Sequence, residues 1–367
     1  MNFKKFFIFF IILTTLLTSC SNRKDSKDIK ATANYKINTK TITDINNRNV
    51  QIPKNINSLI CVGVGGLRFT TYMDSVDLVV GVEKNEVDLN IQKPYNYINN
   101  KKFSSLPIIG DNGTTYDEAI VNLNPDIIIA SLDGSTADKL QQKLNIPVVT
   151  IPIVDNIFDN SCYKTIELLG DIYNKEDRAK DLTDYIKSLQ RDLDNRTKNI
   201  PEDEKPSVYV GGISFKGLHG FDGTEANYSP LLAINTNSLA DLTDEKGPFN
   251  IDLEQVLNWD PDILFLDING MKLINEQYQS NPDYFNSLKA VQNNDVYSQI
   301  SFRFSAINVE LAFVNAYYIG KIIYPNKFED IDPIKKADEI FEKILGVKYY
   351  DNLKNNNYEL KELKIGD

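Results

Sequence analysis

The chain has 367 residues, which is enough for two domains of ordinary size, and it carries 51 acidic and 40 basic side chains for a net charge of −11. Such an acidic surface repels phosphate backbones, so the composition argues against nucleic-acid binding. The single histidine, His219, excludes a His-Glu-x-x-His zinc site and any multi-histidine metal cage.

The first 20 residues have the pattern of an export signal. Lys4 and Lys5 precede a largely apolar run from Phe6 to Leu17, which is short for a membrane span, and Cys20 follows small residues. The pattern resembles a bacterial lipobox, which implies cleavage before Cys20, lipidation of Cys20 and a location outside the cytoplasmic membrane. The alternatives are an ordinary signal peptide and an uncleaved anchor.

We therefore predict a lipoprotein signal peptide over residues 1–19 and a flexible tether over residues 20–40, because that segment is polar and lacks apolar periodicity. Removal of residues 1–19 alone leaves 38 basic and 51 acidic groups, a net charge of −13. Two further cysteines, Cys61 and Cys162, could form a disulfide in an oxidising compartment. Cys61 lies in an apolar run, however, and is equally well explained as a small buried residue.

Residues 41–160 are predicted to form an N-terminal lobe. Thr41 to Pro53 has the pattern of a hairpin, with Asn46 and Asn47 as turn formers. Four apolar runs that alternate with helical patterns predict strands, beginning near Leu59, Leu78, Asp126 and Val148. This alternation indicates a parallel sheet with crossover helices.

A charged helical stretch follows, from about Tyr163 to Thr197, and we assign residues 161–200 to a connecting helix. Its apolar side chains recur at intervals of three and four and form one stripe, which predicts a spine that packs along both lobes. Pro201 and Pro206 end this stretch, and a C-terminal lobe is predicted from residue 201 to residue 345.

The strongest indication of two lobes is a repeated pattern. Glu118-Ala-Ile-Val-Asn-Leu-Asn-Pro-Asp-Ile-Ile-Ile-Ala occurs again, 136 positions later, as Glu254-Gln-Val-Leu-Asn-Trp-Asp-Pro-Asp-Ile-Leu-Phe-Leu. Each copy predicts an amphipathic helical turn, a Pro-Asp stop and a strand buried on both faces. We predict an α/β fold of two similar Rossmann-like lobes, joined by the long spine helix, with a ligand cleft between them.

The C-terminal lobe is predicted to continue with strands at Val208–Val210, Ile263–Leu266 and Val296–Ile300, and with helices at Asn308–Tyr324 and Pro333–Leu345. Residues 346–367 are predicted to be a tail. We expect its polar segment from Asn352 to fray.

Ligands of open parallel sheets bind beyond the carboxyl ends of the strands. In this chain the corresponding loops are rich in glycine, aromatic residues and cations, which indicates an anionic and partly apolar ligand. The predicted ligand contacts in these loops are Arg68, Phe69, Ser131, Lys216, His219, Arg303 and Phe304. The alternative for the three cations is that they are solvated or paired with carboxylates. His219 is either a contact to a metal or chelate, or a loop residue tied to the backbone.

Two motifs typical of enzymes are incomplete. The segment Gly212-Ile-Ser-Phe-Lys216 lacks the last glycine of a nucleophile elbow, and Arg68 stands where a dinucleotide fingerprint needs glycine. No P-loop, the motif that binds the phosphates of ATP, is present in the sequence. We predict that the chain is not an enzyme and has no cofactor.

The two repeated glutamates, Glu118 and Glu254, are candidates for a shared task at the surface. Thr115 and Glu118 have the spacing of a capping box, so Glu118 could serve only its own helix. Ile251, at the equivalent position before Glu254, cannot cap. Because capping could explain only one of the two glutamates, their shared position favours a common task at the protein surface.

Together, the lipobox, the two Glu-(x)6-Pro-Asp segments and the spine resemble the solute-binding proteins of ferric-siderophore and cobalamin ABC importers, over residues 41–345. In that family the equivalent glutamates form salt bridges with arginines of the permease, which implies this role for Glu118 and Glu254. The segment from Gly211 to Ala240 resembles an iron-chelate branch. That resemblance adds Tyr228 as a ligand contact. It also implies that Tyr228 and His219 are possible metal ligands.

The sequence thus predicts a monomeric, extracytoplasmic receptor, attached to the membrane only by its lipid, that captures an iron chelate such as a ferric siderophore and delivers it to an ABC permease and its ATPase. Haem, cobalamin and a metal or oxyanion are alternative ligands. The alternatives of another class are an exported lipid-anchored enzyme, disfavoured by the lone histidine, and a structural lipoprotein, disfavoured by the two-lobed pattern.

Overall fold

The computed structural model describes residues 38–158 and 160–366. The predicted signal peptide, Cys20 and most of the predicted tether lie outside these residues. Within the described ranges, no helix combines the length and the apolar character needed to cross a membrane.

The N-terminal lobe begins with the predicted hairpin. Strands β1 (Thr39–Thr43) and β2 (Asn49–Pro53) pair antiparallel. Asn47, in the turn between them, has φ of 58°, a left-handed conformation that asparagine tolerates better than most residues. Both strands alternate buried and exposed side chains, so the hairpin covers the lobe with one face.

The N-terminal sheet has the order β6-β5-β4-β3-β7-β8, and only β6 runs antiparallel to its neighbour. Its strands are β3 (Leu59–Val62), β4 (Val79–Glu83), β5 (Ile108–Asp111), β6 (Thr114–Thr115), β7 (Ile127–Ala130) and β8 (Val148–Thr150). Its helices are α1 (Gly66–Tyr72), α2 (Pro94–Phe103), α3 (Asp117–Leu123) and α4 (Gly134–Leu144). The four predicted parallel strands are confirmed, whereas β5 and β6 were not predicted.

The predicted spine is divided into two helices, α5 (Asn160–Tyr173) and α6 (Glu176–Thr197), which pack against each other. The division falls at Asn174, whose φ of 55° ends α5. Gly170 permits the close packing, because a Cβ at this position would lie 2.6 Å from the Cβ of Ala179. The apolar stripe predicted for the spine is buried along α6.

The C-terminal lobe contains a parallel sheet of order β13-β12-β9 and an antiparallel pair, β10 and β11. Its strands are β9 (Val208–Gly211), β10 (Gly223–Ala226), β11 (Gly247–Asn250), β12 (Ile263–Asp267) and β13 (Val296–Gln299). Its helices are α7 (Ser229–Leu232), α8 (Leu253–Trp259), α9 (Met271–Ser280), α10 (Pro282–Ser287), α11 (Lys289–Asn293), α12 (Val309–Ile323), α13 (Pro333–Leu345) and α14 (Tyr350–Asn355). The predicted strands and helices of this lobe are confirmed.

The repeated sequence pattern folds alike in both lobes. Its helices, α3 and α8, are seven residues long and end at residues in the left-handed conformation, Asn124 with φ of 45° and Asp260 with φ of 44°. Each helix leads into a central strand of its sheet, β7 or β12. The two lobes are therefore similar units, as predicted.

The aspartate of each Pro-Asp pair joins the repeat to the neighbouring strand. Asp126 Oδ2 accepts a hydrogen bond from the backbone N–H of Ser58, at 3.1 Å, immediately before β3. In the same way, Asp262 Oδ2 accepts from the N–H of Ser207, at 2.8 Å, immediately before β9. This shared contact explains why the Pro-Asp pair occurs in both copies.

One hydrophobic core connects the lobes. It contains the inner faces of both sheets together with buried residues of α5, α6, α12 and α13, while the outer face of each sheet has a separate smaller cluster. The two-lobed α/β fold is confirmed. A core that continues from lobe to lobe favours small relative movements over wide opening.

The tail does not fray, so this prediction was wrong. After α14 the chain runs beside β13, the edge strand, where Ser298 N–H donates to the carbonyl of Lys361 at 2.9 Å and Leu363 N–H donates to that of Val296 at 2.8 Å. Ile365 is buried in the outer cluster of the C-terminal lobe. The tail thus covers an otherwise unpaired sheet edge.

Candidate ligand cleft and docking surface

A cavity of about 740 Å³ lies at the carboxyl ends of β9, β12 and β13, where parallel sheets bind ligands. The N-terminal lobe contributes Gln92 to its wall. The other lining residues follow the strands of the C-terminal lobe or belong to α9 and the tail: Ser214, Phe215, Lys216, Gly217, Leu218, Ile268, Asn269, Lys272, Ser301, Arg303, Phe304, Ser305, Asn356, Asn357 and Tyr358.

Three of the eight predicted ligand contacts line this cavity, namely Lys216, Arg303 and Phe304. The other five do not line it: Arg68, Phe69, Ser131, His219 and Tyr228. The three that do come from loops after β9 and β13, so it is the C-terminal lobe that supplies most of the candidate site.

Two lysines bring positive charge to the cavity. Lys216 is exposed and makes no ion pair with another described residue. The side chain of Lys272 is 85 % exposed, and its nearest carboxylate, on Glu276, is 4.0 Å away. Lys272 was missed because it lies in α9 and not in a loop. Its place two residues after the β12 loop was the available signal.

Arg303 is already paired within the protein. Its Nε and Nη2 donate to the two carboxylate oxygens of Glu225, at 3.0 and 2.6 Å, and Nη1 donates to the carbonyl of Asp155 at 2.9 Å. Glu225 is only 1 % exposed, and its burial raises the pKa of its carboxyl while the charge of Arg303 opposes this. The alternative of pairing with a carboxylate therefore describes Arg303, and its charge is neutralised before any ligand arrives.

Arg68 is buried beneath the cleft and supports one of its loops. It is 1 % exposed, its Nε donates to Asn308 Oδ1 at 3.0 Å, and its Nη2 donates to the carbonyl of Phe304 at 2.8 Å. The loop it holds contains Ser305 and Ala306, with φ of 52° and 66°, a conformation that costs energy for residues other than glycine. Arg68 thus connects the lobes and supports a strained cleft loop without lining the cavity.

The remaining predicted contacts are engaged elsewhere. Phe69 is 1 % exposed and packs edge-on against Tyr72 in the core. Tyr228 is fully buried and its hydroxyl donates to Gln299 Oε1 at 2.6 Å. Ser131 is half-buried, and its backbone N–H donates to the carbonyl of Val62 at 3.1 Å. Phe69 and Tyr228 are therefore better explained as core residues than as ligand contacts.

His219 is tied to its own loop. Its Nε2 lies 2.8 Å from the carbonyl oxygen of Phe215, and the two rings stack with centroids 4.0 Å apart. Among residues 38–158 and 160–366, no group of three or more His, Cys, Asp or Glu is placed to hold a metal ion. The contacts of His219 favour the backbone-tied alternative for this residue.

A hydrogen-bond network runs from the cavity wall to a buried carboxylate. Tyr358 Oη donates to Asn269 Oδ1 at 2.8 Å, Asn269 Nδ2 donates to Ser301 Oγ at 2.5 Å, and Ser301 Oγ donates to the carboxylate of Asp267. Burial raises the pKa of Asp267 to about 6, against the opposing hydrogen bond from Ser301. The sequence placed the ligand contacts in the loops after the strands but gave no sign of Tyr358, since nothing local indicates that the tail returns to the cleft.

Neither of the two cysteines in the described part of the chain is in a disulfide, and both are buried. Cys61 Sγ lies 3.6 Å from Thr70 Oγ1, and burial raises the pKa of its thiol to about 12. A disulfide between Cys61 and Cys162 does not form, and Cys61 is a small buried residue.

The repeated glutamates occupy the same position, the second residue of α3 and of α8, and both are exposed. The predicted capping box is wrong, because the Thr115 hydroxyl donates to Asp117 and not to the helix backbone. In α8 the side chain of Asp252 accepts from the N–H of Glu254, at 2.9 Å. Neither Glu118 nor Glu254 caps its helix, so both carboxylates are available to a partner.

Each glutamate is followed three residues later by an exposed aliphatic side chain. Val121 is 51 % exposed and Leu257 is 37 % exposed, and residues three apart share one helix face. Leu257 and Glu254 also line a groove of about 560 Å³ that is completed by Leu273 and Tyr284, among others. We call the four residues Glu118, Val121, Glu254 and Leu257 the docking set. The aliphatic pair was missed, although the aligned repeats show it.

Residues 73–299 match the family described as periplasmic binding protein, which is more than half of the chain. Among curated relatives, the molybdate-binding protein MolA of Haemophilus influenzae is 20 % identical over 84 % of this chain and 91 % of its own length. The ABC transporter substrate-binding lipoprotein YvrC of Bacillus subtilis is 26 % identical over 54 % of this chain. The Fe(3+)-citrate-binding protein YfmC of the same organism is 28 % identical over 49 % of this chain. The alignments span only 60 % and 55 % of the two Bacillus proteins.

Among solved structures, a periplasmic solute-binding protein from Veillonella parvula superimposes with a TM-score of 0.70 at 21 % identity, covering 87 % of this chain and 99 % of that one. Molybdate-bound MolA superimposes with a TM-score of 0.65 at 20 % identity, covering 84 % of this chain and 99 % of that one. These similarities show the fold, and the relatives are binding proteins and not enzymes, as predicted. By the family match, the chain belongs to the periplasmic binding protein family.

Proposed function

We propose that the protein is the substrate-binding receptor of an ABC importer and that it binds an anionic iron chelate in the cleft of the C-terminal lobe. The observation that carries this proposal is the cavity at the strand ends, where Lys216 makes no ion pair with a described residue and Lys272 has only a long, exposed contact of 4.0 Å with Glu276. The rest of the chain is acidic, so this local positive charge is selective for a negative ligand.

The size and lining of the cavity favour a chelate over a bare oxyanion. A volume of about 740 Å³ falls in the range of sites for drug-sized organic ligands, which is roughly 300–1,000 Å³. Phe215, Phe304 and Tyr358 add aromatic surface that a small oxyanion does not need. Relatives with names that include Fe(3+)-citrate and haem support the same class.

The docking set supports a partner with two basic sites beside apolar surface, which fits a two-part permease driven by its ATPase. Exposed carboxylates steer association, and neighbouring aliphatic side chains add buried apolar area in the complex. The duplication of the same pair on both lobes is what favours a two-part partner over a single unrelated one.

The proposal places the protein outside the cytoplasmic membrane, attached through lipid on Cys20. We expect Cys20→Ser to leave the fold unchanged, since Cys20 precedes the first strand of the described chain, and to prevent anchoring. Cell fractionation should find the variant in the medium or as an unprocessed precursor. A variant that is still cleaved normally and remains bound to the membrane would refute lipid anchoring at Cys20.

A panel titration tests the ligand class. The purified chain from residue 21 is titrated with ferric citrate, a ferric hydroxamate, haem, cobalamin and molybdate, with tyrosine fluorescence as the signal, because Tyr358 lines the cavity. We expect saturable one-to-one binding of an anionic ferric chelate. If molybdate, haem or cobalamin binds most tightly, the ligand is of that class and not a ferric chelate. If none of the five compounds binds, the receptor proposal is refuted.

A further inference from the structure

The C-terminal tail forms one wall of the cleft. Asn356, Asn357 and Tyr358 line the cavity together with the loops after β9, β12 and β13. The family match ends at residue 299, so this wall lies beyond the segment that the family describes. The tail is therefore a feature of the site that family membership does not explain.

The tail is held firmly on both sides of these three residues. They follow α14 directly, and the N–H groups of Asn356 and Tyr358 both donate to the carbonyl of Leu353, at 3.1 and 2.8 Å. After them, Lys361 and Leu363 extend the sheet beside β13. Segments anchored by backbone hydrogen bonds at both ends present their side chains in a fixed geometry, which a specific binding wall requires.

Tyr358 is positioned by the hydrogen-bond network that runs from the wall to Asp267. Its hydroxyl donates to Asn269, which is fixed through Ser301 to the buried carboxylate of Asp267. The ring is half-buried, so part of its surface remains open to the cavity. A rigid aromatic ring of this kind offers contact area with little loss of side-chain entropy on binding.

We infer that the tail wall selects the ligand: Tyr358 packs against an apolar or planar part of an anionic chelate, and Asn357 faces its oxygen-rich periphery. This inference rests on the proposed function, since it concerns the same cleft. It assigns to the tail wall the recognition of the organic part of the ligand, which the lysines do not recognise. An anion without an organic portion would gain nothing from this wall.

A pair of matched substitutions tests the inference. Asn357→Asp places a negative charge in the wall, and Asn355→Asp places the same charge two residues earlier, on an exposed residue that does not line the cavity. Asn357 has φ of 64°, which aspartate also tolerates, so the fold should be kept. Like charges repel at close range, so we expect Asn357→Asp to weaken binding of the ferric chelate at least fivefold. Asn355→Asp should bind like the wild type.

Tyr358→Ala is the second arm, with Glu359→Gln as its control, because Glu359 is the next residue and does not line the cavity. We expect Tyr358→Ala to weaken ferric chelate binding at least tenfold and to leave molybdate binding unchanged. If the wild type binds a ferric chelate while Asn357→Asp and Tyr358→Ala bind it as their controls do, the inference alone is overturned. If the wild type binds none of the compounds, the receptor proposal fails and the inference fails with it.

Discussion

Glu118→Ala combined with Glu254→Ala is expected to abolish import while ligand affinity and stability stay near those of the wild type. Both carboxylates are exposed and neither caps its helix, so their removal costs the isolated protein little. Across an interface with a basic permease they steer association and fix the register of the two lobes, so loss of both should be felt strongly. Uptake of the ⁵⁵Fe chelate by cells, together with binding by the purified protein, measures the two effects separately.

The matched control for this experiment is Glu245→Ala combined with Glu342→Ala, which removes two exposed carboxylates that lie outside the repeated helices. The control variant should import normally. Docking of the wild-type receptor should weaken as salt concentration rises, since exposed charges are screened. Import at the wild-type rate by the Glu118 and Glu254 double variant would show that the glutamates are only remnants of a duplicated helix start.

Arg303→Ala should lower the free energy of unfolding by about 3 to 5 kcal/mol, the usual loss when one partner of a buried ion pair is removed. The substitution leaves Glu225, which is 1 % exposed, without its bidentate partner. Urea unfolding of the wild type and the variant measures this difference. Glu225→Gln in the Arg303→Ala background removes the unpaired charge and should restore part of the stability.

The loss should also depend on pH. Burial raises the pKa of Glu225, so the folded chain holds this proton to higher pH than the unfolded chain does. Protonation therefore favours the folded state at low pH, and this contribution is lost as pH rises through the folded pKa. Without Arg303 the bias toward the protonated form is greater, so the variant should be closer to wild type at pH 5 than at pH 8. If the Arg303→Ala variant is as stable as the wild type but binds the chelate much more weakly, Arg303 is a direct ligand contact.

The sequence predicted the fold well where local pattern determines structure. The apolar runs became strands, the helix predicted at Pro333–Leu345 has the same limits in the structure, and the repeats at Glu118 and Glu254 form equivalent helices in the two lobes. It predicted less where distant partners decide. The tail was expected to fray because it is polar, yet its order comes from the free edge of β13, which no pattern in the tail reveals.

The candidate site shows the same division. Strand-end loops were correctly chosen as the place of the cavity, and Lys216 and Phe304 line it. Whether a cation in such a loop faces solvent or a carboxylate depends on residues far away in sequence: Glu225 is 78 positions from Arg303, and Asn308 is 240 positions from Arg68. Composition identified the charged loops, but only the packed structure separates the exposed Lys216 from Arg303, which pairs with Glu225, and from Arg68, which is buried and hydrogen-bonded to Asn308.

The central claim is that an anionic chelate binds at the lysines of this cleft, and calorimetric titration of Lys216→Ala combined with Lys272→Ala tests it most directly. Ferric citrate is the probe for both the wild type and the variant. Hydrogen bonds to charged groups contribute about 1.5–3 kcal/mol each, so we expect the double variant to bind at least tenfold more weakly at unchanged stability. Equal affinity of the wild type and the double variant for ferric citrate would contradict the claim.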